Sequence, residues 1–420
     1  MNKYADVLVI GAGLSGLMAA AKAVEDGKKV TLAAKGMGAL GLSSGCIDLW
    51  GYSLDDPYRV SQDPWQDIAR LCAVRPQHPY ARLQDVLKES LLFFQQLCQK
   101  NGNQYLAPPA GNRLLPTALG TWRPTYLAPA GMAADNLQQA DHILVVGFEE
   151  LKDFYPHVLA ANISKSGLLK TNCRVNTAMV SAGGGELSPG TLAHRLEDPA
   201  RLADVAAQIK PGLQPEAVLL LPPVCGERWD TRVLQRLSQL LGHRAYEVTN
   251  IPPALPGQRL QQMLLHHLKQ RGVEVLLGCT VSGARLTGKR CSEVLAGGAG
   301  KTINIAAKTV VLATGSFLGG GLWAEPGQAW ESIFRLPVAG RSGKWSARDF
   351  LSLEGHLFNQ MGINVNDNLQ PVDDAGRVIL ENVLVTGANL AGSNHSVEKC
   401  GNGVAVASGY KAGKLAGEVF

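Results

Sequence analysis

The residues whose types and spacing most clearly suggest chemistry stand at the N-terminus. Asp6-Val7-Leu8-Val9-Ile10 is a short apolar, β-branched run that opens into Gly11-Ala12-Gly13-Leu14-Ser15-Gly16. The run predicts a buried strand, and the Ala-rich stretch from Leu17 to Val24 predicts a helix. Strand, glycine turn and helix in this order make Gly11, Gly13 and Gly16 a dinucleotide fingerprint rather than a plain loop. Gly11 permits the tight turn, Gly13 lets a pyrophosphate approach the backbone, and Gly16 lets the helix pack on the strand. Leu14 and Ser15 open the helix, where unpaired N–H groups and the positive end of the dipole face an anion.

Further candidates follow along the chain. The second parallel strand is expected over Lys29-Val30-Thr31-Leu32-Ala33-Ala34, and no acid lies between Thr31 and Met37. A nucleotide fold normally ends this strand in Asp or Glu to hold the adenosine ribose. Lys35 stands there instead, either facing a phosphate or as a solvated strand end. The small-residue loop Gly36 to Cys46, with Ser43, Ser44 and Gly45, suits a wall close to a flat ring or a phosphate; the alternative is a surface loop. Thr309 to Leu312 is a second buried strand, ending in Ala313-Thr314-Gly315. Asn382 to Thr386 is a third, ending in Gly387-Ala388. A polar loop, Asn389 to Cys400, then leads into a small-residue helix from Gly401-Asn402-Gly403 to Gly413. Its N-terminus can approach a ligand closely, where the dipole would stabilise a negatively charged reduced ring, or its Gly and Ala can serve tight packing alone.

The rest of the chain must position these pieces. With 420 residues and 46% hydrophobic content, two or three domains are expected. The net charge of +5 is mild and no Lys/Arg run occurs, so nucleic acid is a poor partner, whereas an anionic substrate or membrane surface is compatible. The 47 glycines fit many close backbone approaches. No bilayer-spanning run and no signal peptide are evident, so a cytoplasmic location is expected. The eight cysteines, Cys46, Cys72, Cys98, Cys173, Cys225, Cys279, Cys291 and Cys400, include no Cys-x-x-Cys pair. They frame neither an iron–sulfur nor a zinc site, no metal is expected, and buried reduced thiols are.

The expected fold is α/β, a Rossmann-like domain carrying an inserted α+β cap. Residues 1–55, 246–325 and 376–420 form the cofactor-binding domain; residues 56–245 and 326–375 form the cap. Asp55 to Gln77, with Pro57, Pro64 and Pro76, is polar and reads as the exit into the cap. Leu83 to Lys100 and Gly257 to Arg271 are expected helices, the latter carrying His266 and His267 as surface or packing residues. Ile143 to Gly147 and Val218 to Leu221 are buried strands feeding turns and helices. Arg113 to Met132 is irregular. Val273 to Leu277 is a strand, followed by a small meander over Thr280 to Leu286 and Cys291 to Leu295.

The glycine fingerprint, Ala313-Thr314-Gly315 and the C-terminal strand, glycine, loop and helix occur in an order that resembles the glutathione-reductase-like flavoproteins, nearer their fumarate reductase and glycerol-phosphate dehydrogenase branch. Leu42-Ser43-Ser44-Gly45 with Ile47-Asp48-Leu49, Leu220-Leu221-Pro222-Pro223 and Gly387-Ala388-Asn389-Leu390-Ala391-Gly392 are similar to the B-subunit family of anaerobic glycerol-3-phosphate dehydrogenases. The likeness extends over essentially the whole chain. It implies a flavin enzyme turning sn-glycerol 3-phosphate into dihydroxyacetone phosphate, with electrons passed towards a quinone in anaerobic respiration. It also implies two partners: an FAD-bearing catalytic A subunit, and an iron–sulfur C subunit that attaches the assembly to the cytoplasmic membrane.

For this chain the family implies FMN, whereas a Gly-x-Gly-x-x-Gly turn is built for the pyrophosphate of FAD, which stays the alternative. Oxidising a secondary alcohol needs a hydride acceptor, a base and cations for the phosphate. His395 is the candidate base, because its loop precedes the expected flavin helix. Arg123, Arg341 and Lys344 are candidate phosphate partners. Each has a plain reading too, as a loop histidine or surface cations. A flavin-bearing electron-transfer protein without its own alcohol site, and a different flavin reductase, are the alternatives.

Overall fold

The computed structural model describes residues 2–249, 251–298, 300–340 and 343–418. The chain forms two compact units. The first comprises Met1–Leu40, Ile47–Leu97 and Met263–Phe420, the second Gly41–Cys46 and Cys98–Gln262.

The first unit is built on a seven-stranded sheet. Asn2–Ile10 lies at its centre, parallel to Val30–Ala34 on one side and to Lys301–Leu312 on the other. Glu274–Leu277 extends the sheet in parallel beyond Val30–Ala34. Lys301–Leu312 serves two partners. Its first half pairs antiparallel with Arg290–Gly298, the meander expected from sequence, and its last residues pair parallel with Val383–Val385. Val7, Leu8, Val9, Val310, Val311 and Val383 are buried, which is why these runs lack a polar face. The three glycine-bearing turns therefore all leave the carboxyl edge of parallel strands, the edge where open α/β sheets bind ligands.

Two small-residue helices lie together in this unit. Leu14–Glu25 carries Ala19, Ala20, Ala21 and Ala23, and Gly401–Leu415 carries Gly409 and Gly413. A Cβ on Gly409 would overlap the carbonyl oxygen of Ser15, and one on Gly413 would press on that of Ala19. The glycines are thus required by the separation of two backbones.

The second unit holds a four-stranded sheet in the order Ala245–Glu247, Val218–Leu221, His142–Phe148, Arg174–Val180. All its pairings are parallel. The helices Pro156–Lys165, Pro189–Arg195, Pro199–Ile209 and Arg232–Leu241 supply the crossovers such a sheet demands. The expected α+β cap thus has a parallel α/β core, with only short antiparallel ladders beside it. One of these, Arg113–Pro116 with Trp122–Thr125, lies in the segment expected to be irregular. Its prolines hid the strand pattern.

The unit boundaries also differ from those expected. Residues 56–97 and 326–375 belong to the first unit, and the chain returns to it at Met263. The polar stretch around Pro64 is no exit. Asp63 accepts hydrogen bonds from the N–H groups of Trp65 and Gln66, and Pro64 opens a helix to Val74. Proline at the first helical position costs no hydrogen bond, so this cluster starts a helix rather than ending a domain.

Gly409→Ala is expected to lower stability by about 1–3 kcal/mol through overpacking of the two terminal helices. Urea unfolding followed by circular dichroism measures it.

Candidate functional site

The fingerprint turn is closed on two sides and open on the third. Gly11 has φ +118°, and a Cβ there would overlap the carbonyl oxygen of Ala313. A Cβ on Gly16 would overlap the carbonyl oxygen of Gly11. Gly13 differs, because a Cβ built on it would meet nothing within 4 Å. Gly13 is the N-cap of the helix Leu14–Glu25, in an extended conformation with no side-chain cap. The helix start therefore faces free space with uncapped N–H groups, the arrangement a pyrophosphate needs. Gly38, at φ +69°, passes over this turn, since its Cβ would lie 3.1 Å from the Cα of Gly13.

The two later turns join the same edge. Asn389, fully buried, accepts the Gly315 N–H at 2.8 Å and donates to Thr314 Oγ1 at 3.0 Å. Ser408 Oγ accepts the Gly387 N–H at 2.9 Å and donates to the Val404 carbonyl. A Cβ on Gly387 would overlap Ser15 Oγ. Gly11, Gly16, Ser15, Thr314, Gly315 and Gly387 are thus gathered at one edge of the sheet. Leu14 is buried, Ala388 is exposed, and Lys35 is exposed just beyond Val30–Ala34. Asn389 and Ser408 were missed. An asparagine two residues after the strand-ending Gly387 was the available signal for the first.

Gly403 meets the packing alternative given for this helix. Its N–H donates to the Asp48 carbonyl at 2.9 Å, and a Cβ there would overlap Tyr80 Oη. It serves packing, while Gly401 and Asn402 are half-buried at the helix start. Ser43, Ser44 and Gly45 belong to the second unit. There Ser44 Oγ accepts from Arg123 Nη1 at 3.0 Å, and the Gly45 carbonyl accepts from Tyr105 Oη at 2.7 Å. Lys344 is exposed, and Arg341 lies outside the described residues. His266 and His267 sit within the helix Leu255–Gln270 as expected.

The loop before the C-terminal helix is held by a charge the sequence did not reveal. Glu398 accepts from Arg75 Nη1 at 2.8 Å, from His78 Nε2 at 3.2 Å and from the Asn394 N–H at 2.8 Å. Arg75 Nη2 also donates to the Gly392 carbonyl. His78 Nδ1 accepts the Tyr80 N–H, which leaves the proton on Nε2. Cys400, the N-cap of the final helix, donates its thiol to Glu398. Burial disfavours the Glu398 carboxylate, but the His78 and Arg75 bonds outweigh it and hold its pKa below the ordinary value. The donor atoms of His78, Glu398 and Cys400 lie within 4.8 Å of one another. Their mutual hydrogen bonds and the Arg75 cation account for them better than a metal ion does. Residues 78 and 398 are 320 positions apart, so no local pattern could show this.

His395 begins the short helix His395–Glu398 beside Gly401, whose Cβ would lie 3.1 Å from that of His395. His395 is exposed, yet desolvation by the protein around it lowers the imidazole pKa, with Glu398 opposing and Lys399 reinforcing the shift. Neutral imidazole is the form that accepts a proton. No disulfide forms among the described residues. Seven cysteines are buried and Cys173 is half-buried. Burial pushes the thiols of Cys72 and Cys291 up to about 11. Among the described residues, no helix is long and apolar enough to cross a membrane.

Residues 6–404 match the family described as "FAD binding domain". A probable anaerobic glycerol-3-phosphate dehydrogenase B subunit from Halobacterium salinarum is 31% identical over 99% of this chain and 98% of its own. The corresponding B subunit from Vibrio cholerae is 30% identical over 97% and 95%. The chain belongs to this family of FAD-binding oxidoreductase subunits. Among solved structures, a 3-ketosteroid Δ1-dehydrogenase from Sterolibacterium denitrificans aligns over 99% of both chains at 12% identity, with a TM-score of 0.47.

The family fixes the cofactor class as flavin and supports FAD; the FMN expected for this chain has no support. The free space at Gly13 and the uncapped helix start fit a pyrophosphate, which FAD has and FMN lacks.

Gly13→Asp places a capping carboxylate in open space, so melting temperature should hold or rise while bound flavin falls sharply. Gly11→Ala should lose both. Absorbance at the flavin band and thermal unfolding, read together, separate the two roles. Glu398→Gln should cost about 3 kcal/mol at neutral pH, because it strands buried donors. The wild-type pKa is depressed, so its stabilisation is complete above the ordinary carboxylate range and lost as pH falls through the lowered value. Urea midpoints of the two proteins should therefore converge in acid.

Proposed function

We propose that this chain is the B subunit of an anaerobic glycerol-3-phosphate dehydrogenase, oxidising sn-glycerol 3-phosphate to dihydroxyacetone phosphate. The end-to-end relation to proteins of that name carries the reading. On this reading it works with an FAD-bearing A subunit, and with an iron–sulfur C subunit that attaches the assembly to the membrane and passes electrons towards a quinone. FAD, when bound, supplies the ring that accepts hydride. Gly13, Leu14 and Ser15 would hold its pyrophosphate, and Lys35 can offer a charge where a ribose-binding acid is missing.

His395 is the proposed base. Its lowered pKa keeps the imidazole neutral, so it can take the hydroxyl proton as hydride leaves the same carbon. Arg123, which donates to Ser44 Oγ, is a phosphate partner proposed from the sequence alone. Lys344 and Arg341 are the remaining proposed phosphate partners.

A second reading has a specific support. Arg123 is already engaged by Ser44 and Lys344 lies open at the surface, so this chain would relay electrons while its FAD-bearing partner holds the alcohol site. Anaerobic addition of glycerol 3-phosphate to the purified chain, then to the two proteins together, decides between them. Bleaching of the isolated chain's flavin supports the first, and bleaching only in the pair supports the second. Acid release and chromatography identify the cofactor.

His395→Gln should lower kcat/KM on the order of 10²–10⁴-fold if the histidine is the base. In the wild type, the acid limb of the pH–kcat/KM profile should fall below the ordinary histidine range, and it should vanish in the variant. An unchanged profile would assign the base elsewhere.

A further inference from the structure

The second unit holds a pocket of its own. Cys225, shortly past the strand Val218–Leu221, and Glu247, the last residue of Ala245–Glu247, both line it. It therefore lies beyond the carboxyl edge of a parallel sheet, the edge where such sheets bind ligands. It spans about 400 Å³ of space, the solvent at its mouth included, which is a size common among small-molecule sites. Every lining residue belongs to the second unit, whereas Gly13 and His395 belong to the first.

The charges that line this pocket are paired. Arg259 is 8% exposed and Glu247 6%. Arg259 donates from Nη1 to Glu247 Oε2 at 2.6 Å and from Nη2 to Glu247 Oε1 at 3.2 Å. Its Nε and Nη2 also donate to the Gly226 carbonyl. The Cys225 N–H donates to Glu247 Oε1 at 2.7 Å. Asp230 Oδ2 accepts from Arg232 Nη2 at 2.8 Å, with Arg228 Nε at 3.6 Å. An ion entering here would leave water without meeting an uncompensated opposite charge.

The uncharged polar groups are in the opposite state. Asn103 is 4% exposed, and its amide makes no hydrogen bond among the described residues, nor are its atoms sealed from the pocket's solvent. A buried amide without a protein partner calls for a ligand or an ordered water. Thr231, the N-cap of the helix Arg232–Leu241, makes no capping bond with its hydroxyl. Arg259 keeps one N–H beyond the bonds to Glu247 and Gly226. Tyr105, Met132, Trp229 and Leu234 add apolar and aromatic surface beside these groups.

We propose that this pocket binds a small neutral polyol, at a site separate from the flavin cradle. An amide, a hydroxyl and a guanidinium N–H together require partners that both accept and donate. A hydroxyl group does both at a single atom, so one polyol answers all three. Its carbon chain suits the apolar and aromatic part of the lining. A flat heterocycle carries its donors and acceptors along one edge, whereas the groups here come from three separate segments, at residues 103, 231 and 259. A phosphate or carboxylate ligand is disfavoured because Glu247 already neutralises Arg259. The proposal holds whether or not this chain carries the alcohol-oxidising site.

The test is titration of the purified, flavin-loaded full chain with xylitol, followed by saturation-transfer NMR, which reads weak binding of a small ligand. The expected result is a saturable signal in the wild type. Asn103→Leu, close to it in volume, should weaken binding about tenfold, the loss of a hydrogen-bonding partner. Thr231→Val should weaken it in the same direction, and it keeps the test alive if Asn103→Leu does not fold. Flavin content and melting temperature without xylitol should match the wild type in both variants. Inorganic phosphate at equal concentration should not displace xylitol. No saturable signal in the wild type overturns the proposal and leaves ordered water as the occupant. Unchanged binding in both variants overturns it by placing xylitol elsewhere. Displacement by phosphate overturns it by assigning the pocket to anions. Saturable, Asn103-dependent binding of adenosine in place of xylitol overturns it by assigning the pocket to a heterocycle.

Discussion

Everything in the first unit depends on how closely backbone can approach backbone at the carboxyl edge of its parallel sheet. The central strand ends at Ile10, and its neighbour ends at Leu312 in register with it. Beyond that point the Ala313 carbonyl occupies the space a side chain on Gly11 would need. Only glycine allows the chain to turn there and start a helix. Gly16 then lets that helix settle on the turn, and Gly409 and Gly413 let the C-terminal helix settle on the first. Among these glycines, Gly13 alone faces open space. The cradle is therefore defined by one opening among several forced contacts, and that opening lies where a helix offers uncapped N–H groups.

The loop between residues 389 and 400 is held at two ends by different means. At one end a neutral side chain, Asn389, spans the Thr314–Gly315 turn with a donor and an acceptor. At the other, the Glu398 carboxylate gathers Arg75, His78 and Cys400. Buried charge is expensive unless paired, and here the pairing is dense enough to favour ionisation. His395 lies between these anchors. Its position is set by backbone that neither end leaves free to drift.

The FMN expectation rested on the family resemblance, with which the missing acid after Val30–Ala34 merely agreed. The absence of an acid after Val30–Ala34 is compatible with a mononucleotide lacking an adenosine ribose. Yet the opening at Gly13 is the stronger physical signal, because backbone geometry cannot be borrowed from elsewhere in the chain. A ribose hydroxyl can find another partner; a pyrophosphate cannot do without its turn.

The sequence by itself determined the strand–glycine–helix start, the order of the three glycine-bearing turns and the small-residue character of both terminal helices. These are local: apolar runs without a polar face make buried strands, and glycines mark where a Cβ has no room. Tertiary structure decided the rest. The parallel sheet of the second unit was hidden because short buried strands look alike whatever their pairing. Asp63 and Pro64 start a helix where a linker was expected, and spatial contacts keep residues 56–97 in the first unit. Glu398, His78 and Arg75 came together across more than 300 positions, and Gly403 proved to be committed to Asp48 and Tyr80. Charge pairing and close packing depend on distance in space, and separation along the chain carries almost no information about it.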